Sequence, residues 1–394
     1  MLNEKRKNEV IELTRKLIGE QSYSGHEDGV VKVLKSYMLS HGFDDVQVDE
    51  YGNIIGMIRG KRPGEKTLFD GHIDTVPVSD HSAWHHDPFK GEIADGKMYG
   101  RGTSDMKGAV AAYTAAAAFF AEDTGKDFAG EIYTDGIVHE ECFEGVAARN
   151  VSRLVKPDVV IIGEASECNL KIGQRGRAEI MVETFGVHAH SSNPDKGVNA
   201  AYSMCRLVSA IRELKAPEHP FLGKGILELT DIKSEPYPGA SVVPSYCKAT
   251  YDRRLLVGET RESVLKPIQD IIDRLSAEDP KFKAKVSYAK GEETCYTGKK
   301  IGDERFFPAW LYDEKEEYIQ KVLKELHDAG MNPEITKYSF CTNGSHYAGE
   351  AGIKAIGMGP SRENLAHVDD EFAEVDQLTK VSECYYAIMK ALNG

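Results

Sequence analysis

The stretch TLFDGHIDTVP, residues 67–77, runs from a short apolar segment into a histidine and an aspartate two places apart. On an extended strand such residues point the same way, so His72 and Asp74 share one face where the apolar run ends. The pattern recurs along the chain. EIYTDGIV at 131–138 leads into Glu140 and Glu141, DVVIIG at 158–163 leads into Glu164, and IKAIGMG at 353–359 precedes His367. NIIGMI at 53–58 is a further strand-like run, and helical patterns span Asp105 to Ala121 and Glu144 to Val155. Short apolar runs alternating with helices predict an α/β sheet with covering helices, whose ligands collect at the carboxyl ends of strands.

After Glu164 the character changes. AEIMVETFGV at 178–187 alternates like a strand, a helix from Val198 to about Leu214 follows, and ILELTDI at 226–232 and YCKATYDRRL at 246–255 are strand-like. A helix from about Glu262 to Leu275 and the run KAKVSYAK at 283–290 complete a β-α-β-β-α-β order, the pattern of a small separate sheet backed by two helices. Residues 291–309 read as a connection, after which a helix from Glu314 to Ala329 resumes the first pattern. The expected organisation is a discontinuous main domain, 1–176 and 293–394, interrupted by an inserted domain at 177–292.

The 394 residues carry 49 Lys plus Arg against 63 Asp plus Glu, a formal charge of −14, which argues against an unassisted nucleic-acid surface. The acidic excess reads either as solubilising surface or as carboxylates set aside for a cation. Seven scattered cysteines without a C-x-x-C pair argue against a disulfide framework or a Cys-zinc knot. The N-terminal stretch is amphipathic rather than a signal peptide, and the most apolar run, Gly108 to Ala121, is shorter than the roughly 20 residues of a membrane span. A cytoplasmic protein with no membrane partner is expected.

Several familiar motifs fail. GEIADGKM at 91–98 has Met98 where a phosphate loop needs a hydroxyl, and GRGTSD at 100–105 has Asp105 where a dinucleotide fingerprint needs its third glycine. HEECF at 139–143 has Phe143 in place of the second histidine of a single-zinc protease helix, and no G-x-S-x-G elbow is present. What remains is nitrogen and carboxylate donors at successive strand ends. Taken singly, a strand-end Asp or Glu is more often a helix cap or ion-pair partner, and a lone His more often a surface or hydrogen-bonded core residue. Taken jointly, donors without thiolates favour zinc, cobalt or manganese.

GHIDTVP at 71–77, GRGTSDMKG at 100–108, HEE at 139–141, GEAS at 163–166 and GVHAHSSNP at 186–194 resemble, in order, the motifs of a co-catalytic metallohydrolase family. It includes acetylornithine deacetylase, succinyl-diaminopimelate desuccinylase, aminoacylase and the carboxypeptidase G type. The chain is also similar to relatives described as hydrolases linked to selenium metabolism. The resemblance implies a zinc-exopeptidase-like mixed sheet covered by helices, with an inserted α+β, ferredoxin-like lid and dimerisation domain. It implies two divalent cations, zinc before cobalt or manganese, with His72 and Glu164 on one, Glu141 and His367 on the other, and Asp105 bridging them. Asp74 would orient the His72 imidazole through its carboxylate, and Glu140 would be the general base. His190 resembles the family's lid histidine, an oxyanion donor reaching across a homodimer.

The implied reaction is cleavage of the amide bond of an N-acyl amino acid or small peptide-like substrate. The alternatives are a dipeptidase or carboxypeptidase-like exopeptidase, and a catalytically silent scaffold using the lid for partner contacts. Substrate residues are less legible. SVVP at 241–244 has Ser241 where relatives carry Asn, and YDRRL at 251–255 offers Arg254 either as a clamp for a substrate carboxylate or as a surface partner of Asp252 or Glu259. TNGSHY at 342–347 occupies the family's substrate loop, so backbone N–H groups around Asn343, Gly344 and Ser345 are candidates to take a carboxylate, with His346 a contact or a loop residue. His139 stands where relatives often have Asp, and HSAWHHDPF at 81–89 reads as a loop rather than a third metal site.

Overall fold

Four of these apolar runs lie side by side as neighbouring parallel strands. The computed structural model describes residues 2–394, and in it Ala129–Gly136, Arg62–Asp70, Val159–Ile162 and Lys354–Gly357 are adjacent in a nine-stranded mixed sheet. The register is continuous across them: Phe69 pairs with Thr134 on one side and Ile161 on the other, and Ile161 pairs with Ile356. Because all four run the same way, their carboxyl ends open on one edge. Asp45–Val48 and Ile54–Arg59 extend the sheet antiparallel on one flank, and Leu170–Gln174, Ile335–Tyr338 and Trp310–Leu311 complete the other.

The helix Lys107–Thr124 is buried from Lys107 through Ala121. Its alanines favour helix and their small side chains permit close packing on all sides; the helix stops at Gly125, which takes the left-handed conformation at φ 54°. It packs against Glu4–Gly19 and Val375–Asn393. Among the described residues no helix is long and apolar enough to cross a membrane, and no disulfide joins the cysteines.

By its contacts the chain divides into two compact units. The larger comprises 1–174, 292–302 and 310–394, and the smaller 175–291 and 303–309. The smaller unit is an antiparallel sheet in the order Ile226–Glu235, Tyr246–Leu255, Gly176–Phe185, Lys283–Tyr288, a ferredoxin-like arrangement. Gly176–Phe185 and Tyr246–Leu255 alternate strictly between buried and half-buried positions for nearly their whole length. The buried faces pack with Met204, Leu207, Ile268 and Ile272 of the helices Ala200–Ile211 and Arg261–Glu278. The second helix begins with a capping box between Thr260 and Ser263.

Several details differ from the sequence reading. The strand expected over 67–73 ends at Asp70, with His72 continuing as a single bridge to Ile137. The helix expected from Glu144 begins at Ala148, because Gly145 adopts φ 85°, outside the helical region. The segment 291–309 is more than a connection: it includes the strand Lys300–Glu304 and the pair Phe306–Phe307, which returns to the smaller sheet. Helices Asp28–Ser40 and Val375–Asn393 were not marked by the sequence reading at all.

Candidate metal centre

His72 leaves the strand Arg62–Asp70 with its ring almost wholly buried. Its Nδ1 lies 2.9 Å from the backbone carbonyl of Asp74, and since a carbonyl only accepts, Nδ1 carries the proton. The lone pair of Nε2 then faces Asp105 Oδ1 at 2.8 Å and Glu164 Oε1 at 3.6 Å. A lone pair aimed at two carboxylates is repulsive unless a proton or a cation stands between them. Across the site, His367 Nε2 lies 3.1 Å from Asp105 Oδ2 and 2.9 Å from Glu141 Oε2. Asp105 thus presents one oxygen to each imidazole.

The charge balance of the protein alone is strained. Burial raises the carboxyls of Glu140 and Glu164 well above the ordinary range, each reinforced by neighbouring acids, and burial with the charge of Asp105 lifts Glu141 to about 7. Burial opposes charging His72, but Asp105 outweighs it and pushes the imidazole well up. Hydrogen bonds from its ring to the carboxylates of Asp105 and Glu141 raise His367 to about 10. Burial also opposes an ionised Asp105, yet the two histidines hold its carboxyl below its usual value. Divalent ions would satisfy these same donors, and Glu140 Oε1 is buried with no protein partner. Donor atoms of His72, Asp105 and Glu141, and of His72, Glu140 and Glu164, lie within 4.8 Å of one another. Hard oxygen and imidazole donors in this number fit two divalent cations.

Asp74 requires a correction. Its carboxylate was expected to orient the His72 ring, but Oδ1 stands 3.6 Å from Nδ1 while the Asp74 backbone carbonyl holds that nitrogen. The carboxylate instead accepts the N–H groups of Glu140 at 3.0 Å and Glu141 at 3.2 Å, and the Ser24 hydroxyl at 2.7 Å. A residue missed by sequence reasoning, Glu27, continues this grip. Its buried Oε1 accepts the N–H of Gly25 at 2.9 Å and of His139 at 3.3 Å, and burial with the nearby Asp74 charge lifts its carboxyl to about 8. The turn 139–141, in which His139 holds φ 55°, is therefore fixed through three successive N–H groups by two buried acids. The ring of His139 is itself buried, which holds its imidazole below the ordinary value.

The substrate loop also differs from expectation. Asn343 spends its amide on Asp70 at 3.1 Å and accepts the N–H of Gly145 at 2.9 Å. Gly344 N–H donates to Thr342 Oγ1, and Ser345 N–H to the Thr342 carbonyl, both at 3.0 Å. The main-chain N–H groups of Gly344 and Ser345 are thus engaged within the loop, and Asn343, Gly344 and Ser345 are all buried. His346 pairs with Glu350 at 2.9 Å. In the loop 81–89, His85 is anchored to Asp370 at 2.6 Å and His86 stacks on Tyr99, so these two histidines serve the loop.

In the smaller unit, Arg254 donates Nε to Asp252 at 2.8 Å, and Asp252 also accepts from Arg177 at 3.1 Å. Arg253 faces the opposite way, buried against Glu259. His190 is exposed in a short pairing with Val242–Val243, and Ser191 N–H reaches the Ser241 carbonyl at 2.9 Å. The Ser192 N–H donates to His190 Nδ1 at 3.1 Å, which in the neutral ring leaves the proton on Nε2.

The profile described as peptidase family M20/M25/M40 matches residues 68–391. The Escherichia coli (strain K12) protein YgeY is 33% identical over 397 residues, covering 98% of this chain and 96% of that protein. Succinyl-diaminopimelate desuccinylase 2 of Ruegeria sp. (strain TM1040) is 28% identical over 399 residues, covering 98% and 95%. Among solved structures, Bacillus subtilis YXEP, described as a dinuclear metal binding peptidase, superposes with a TM-score of 0.72 at 12% identity, covering 99% and 98%.

Proposed function

We propose that this chain, which belongs to peptidase family M20/M25/M40, is a metal-dependent hydrolase that cleaves the amide bond of an N-acyl amino acid or small peptide-like substrate. The observation that carries the reading is Asp105, one oxygen toward each of two imidazole nitrogens, that of the buried His72 and that of the exposed His367, with further carboxylates closing both sides. His72 and Glu164 would hold one divalent cation, Glu141 and His367 the other, and Asp105 both. Zinc is the first candidate, with cobalt or manganese able to replace it. Bound there, two such ions polarise a scissile carbonyl and lower the pKa of water.

The chain's own groups do the rest. The Asp74 carbonyl fixes the His72 tautomer, so that Nε2 is the donor. Glu140, held by its main-chain N–H on Asp74, takes the proton of the attacking water and passes it to the leaving nitrogen. His190, with its proton on Nε2, is the proposed oxyanion donor, contributed by a second copy of the chain in a homodimer formed through the smaller unit. Arg254 is the proposed contact for a substrate carboxylate, using N–H groups beyond the one given to Asp252. The protein is read as cytoplasmic, in keeping with seven cysteines and no disulfide among the described residues.

The substrate class is tested by assaying N-acyl amino acids and dipeptides with zinc, cobalt and manganese, each with and without a chelator. Hydrolysis of an N-acyl amino acid that stops on chelation supports the reading; chelator-resistant hydrolysis contradicts it.

A further inference from the structure

Sequence reasoning passed over Glu371, four residues beyond His367. Its side chain is fully buried. Oε1 accepts three main-chain N–H groups of another loop, from Gly102 at 3.0 Å, Ser104 at 2.8 Å and Asp105 at 3.1 Å. Oε2 accepts Arg101 Nη1 at 2.6 Å, and the Glu371 backbone carbonyl accepts the N–H of Gly100 at 2.9 Å. Arg101 is itself buried, its guanidinium over the Trp84 ring. The loop can wrap a carboxylate this closely because Gly102 holds φ 91°, where an added Cβ would meet Lys107 and Thr75. The preceding Asp370 takes the N–H groups of His85 and His86, so one dipeptide joins three loops.

We propose that Glu371 is a positioning residue for catalysis: it locks the main chain of Asp105 against the loop that carries His367, setting where the two Asp105 oxygens stand. This rests on the two-cation reading above. Charge-assisted bonds to a buried carboxylate are the strong kind, and the Arg101 cation offsets the cost of burying it. Glu371 reaches neither imidazole in any hydrogen bond or ion pair; it acts through the Asp105 backbone. Asp105 serves both imidazoles at once, so a small rotation of its backbone moves both contacts together. A misplacement of about 1 Å can cost on the order of 100-fold in rate.

The Glu371→Gln variant keeps the shape but turns an amide N–H2 toward either Arg101 or the loop N–H groups. Full-length wild-type and variant proteins, stripped of metal, are titrated with Co(2+) while the visible spectrum, bound stoichiometry and thermal midpoint are followed. Ile180→Val, in the core of the smaller unit, serves as a control for general destabilisation. The expected result is two Co(2+) per chain in wild type, at least tenfold weaker binding of one ion and an altered Co(2+) spectrum in Glu371→Gln, and neither change in the control. Steady-state assays of the loaded proteins should show kcat falling more than KM rises. Should Glu371→Gln not fold, Glu371→Asp, which keeps the charge but shortens the reach, must show the same spectral change. Wild-type affinity and spectrum in a folded variant overturn the positioning role and leave the two-cation reading standing; a wild type that binds no Co(2+) removes both.

Discussion

In the larger unit His72, Asp74, Glu140 and Glu164 are each more than nine-tenths buried, whereas in the smaller unit His190 lies on the surface and Arg254 is half-buried. Of these acids Asp74 accepts main-chain N–H groups from the 139–141 turn, and the burial of all four residues lets folding alone set their geometry. The side chains of the second are tied to near neighbours: His190 to Ser192, and Arg254 to Asp252. Charge is effective where water is absent, so the first region is organised before substrate arrives, and the second gains strength only when a substrate or partner excludes water. Substitutions of the cation ligands in the larger unit should therefore change metal binding itself, whereas those in the smaller unit should leave metal content unchanged and alter kcat or KM.

The largest test of that contrast within the smaller unit is His190→Ala. Turnover is expected to fall by about 10²–10³, as for loss of an oxyanion donor, with metal content unchanged. A variant with near-normal turnover would remove His190 from the mechanism, and one that lost metal would break the contrast. Arg254→Ala is expected to raise KM by about tenfold for substrates bearing a carboxylate, with kcat nearly unchanged, as when a ground-state contact is removed. Equal effects on substrates with and without a carboxylate would sink the clamp.

A smaller effect concerns stability of the metal-free protein. Glu27, raised to about 8, Glu141, raised to about 7, and Asp70, raised to about 7 by burial, each keep a proton in the folded state that the unfolded chain has released above about pH 4.5. Their contribution is fully present below the unfolded pKa and is lost as pH rises through the folded value. His139, held low by burial, opposes them as a single group. Lys107, lowered to about 7 by burial, opposes only at higher pH. The thermal midpoint of the stripped protein should fall from about pH 5 to about pH 7, and fall less with cations bound, because Glu141 then has no proton to lose. A midpoint rising over that window would contradict the assignment.

The strand-end positions of His72, Glu140, Glu141 and Glu164 were legible in sequence because each follows an apolar run, and parallel neighbours bring such positions to one edge, whereas Asp105 follows no strand of that sheet and was marked only by the resemblance of GRGTSDMKG. The ferredoxin-like unit was legible because its strands alternate residue by residue. What escaped the sequence acts through the backbone. The spacing of His72 and Asp74 shows that they share a face, but not that the carbonyl of Asp74 takes the ring while its carboxylate takes two amides 66 and 67 residues away. Glu27 and Glu371 bind main-chain groups 112 and 266 residues distant, and nothing in their own surroundings announces a partner that has no side chain. The loop around Asn343 misled for the same reason, since sequence does not show which N–H groups a turn has already engaged. Two-residue pairings such as Phe306–Phe307 are too short to carry any period.

The central claim is that the buried acids divide into cation ligands and one base, Glu140. Its carboxylate stands among the ligand atoms, so the division is decided by Glu140→Gln, with bound divalent metal and amide hydrolysis measured on the same preparation. Two ions per chain with hydrolysis lowered by about 10²–10⁴ is the predicted result; loss of an ion, or hydrolysis near the wild-type rate, would contradict it.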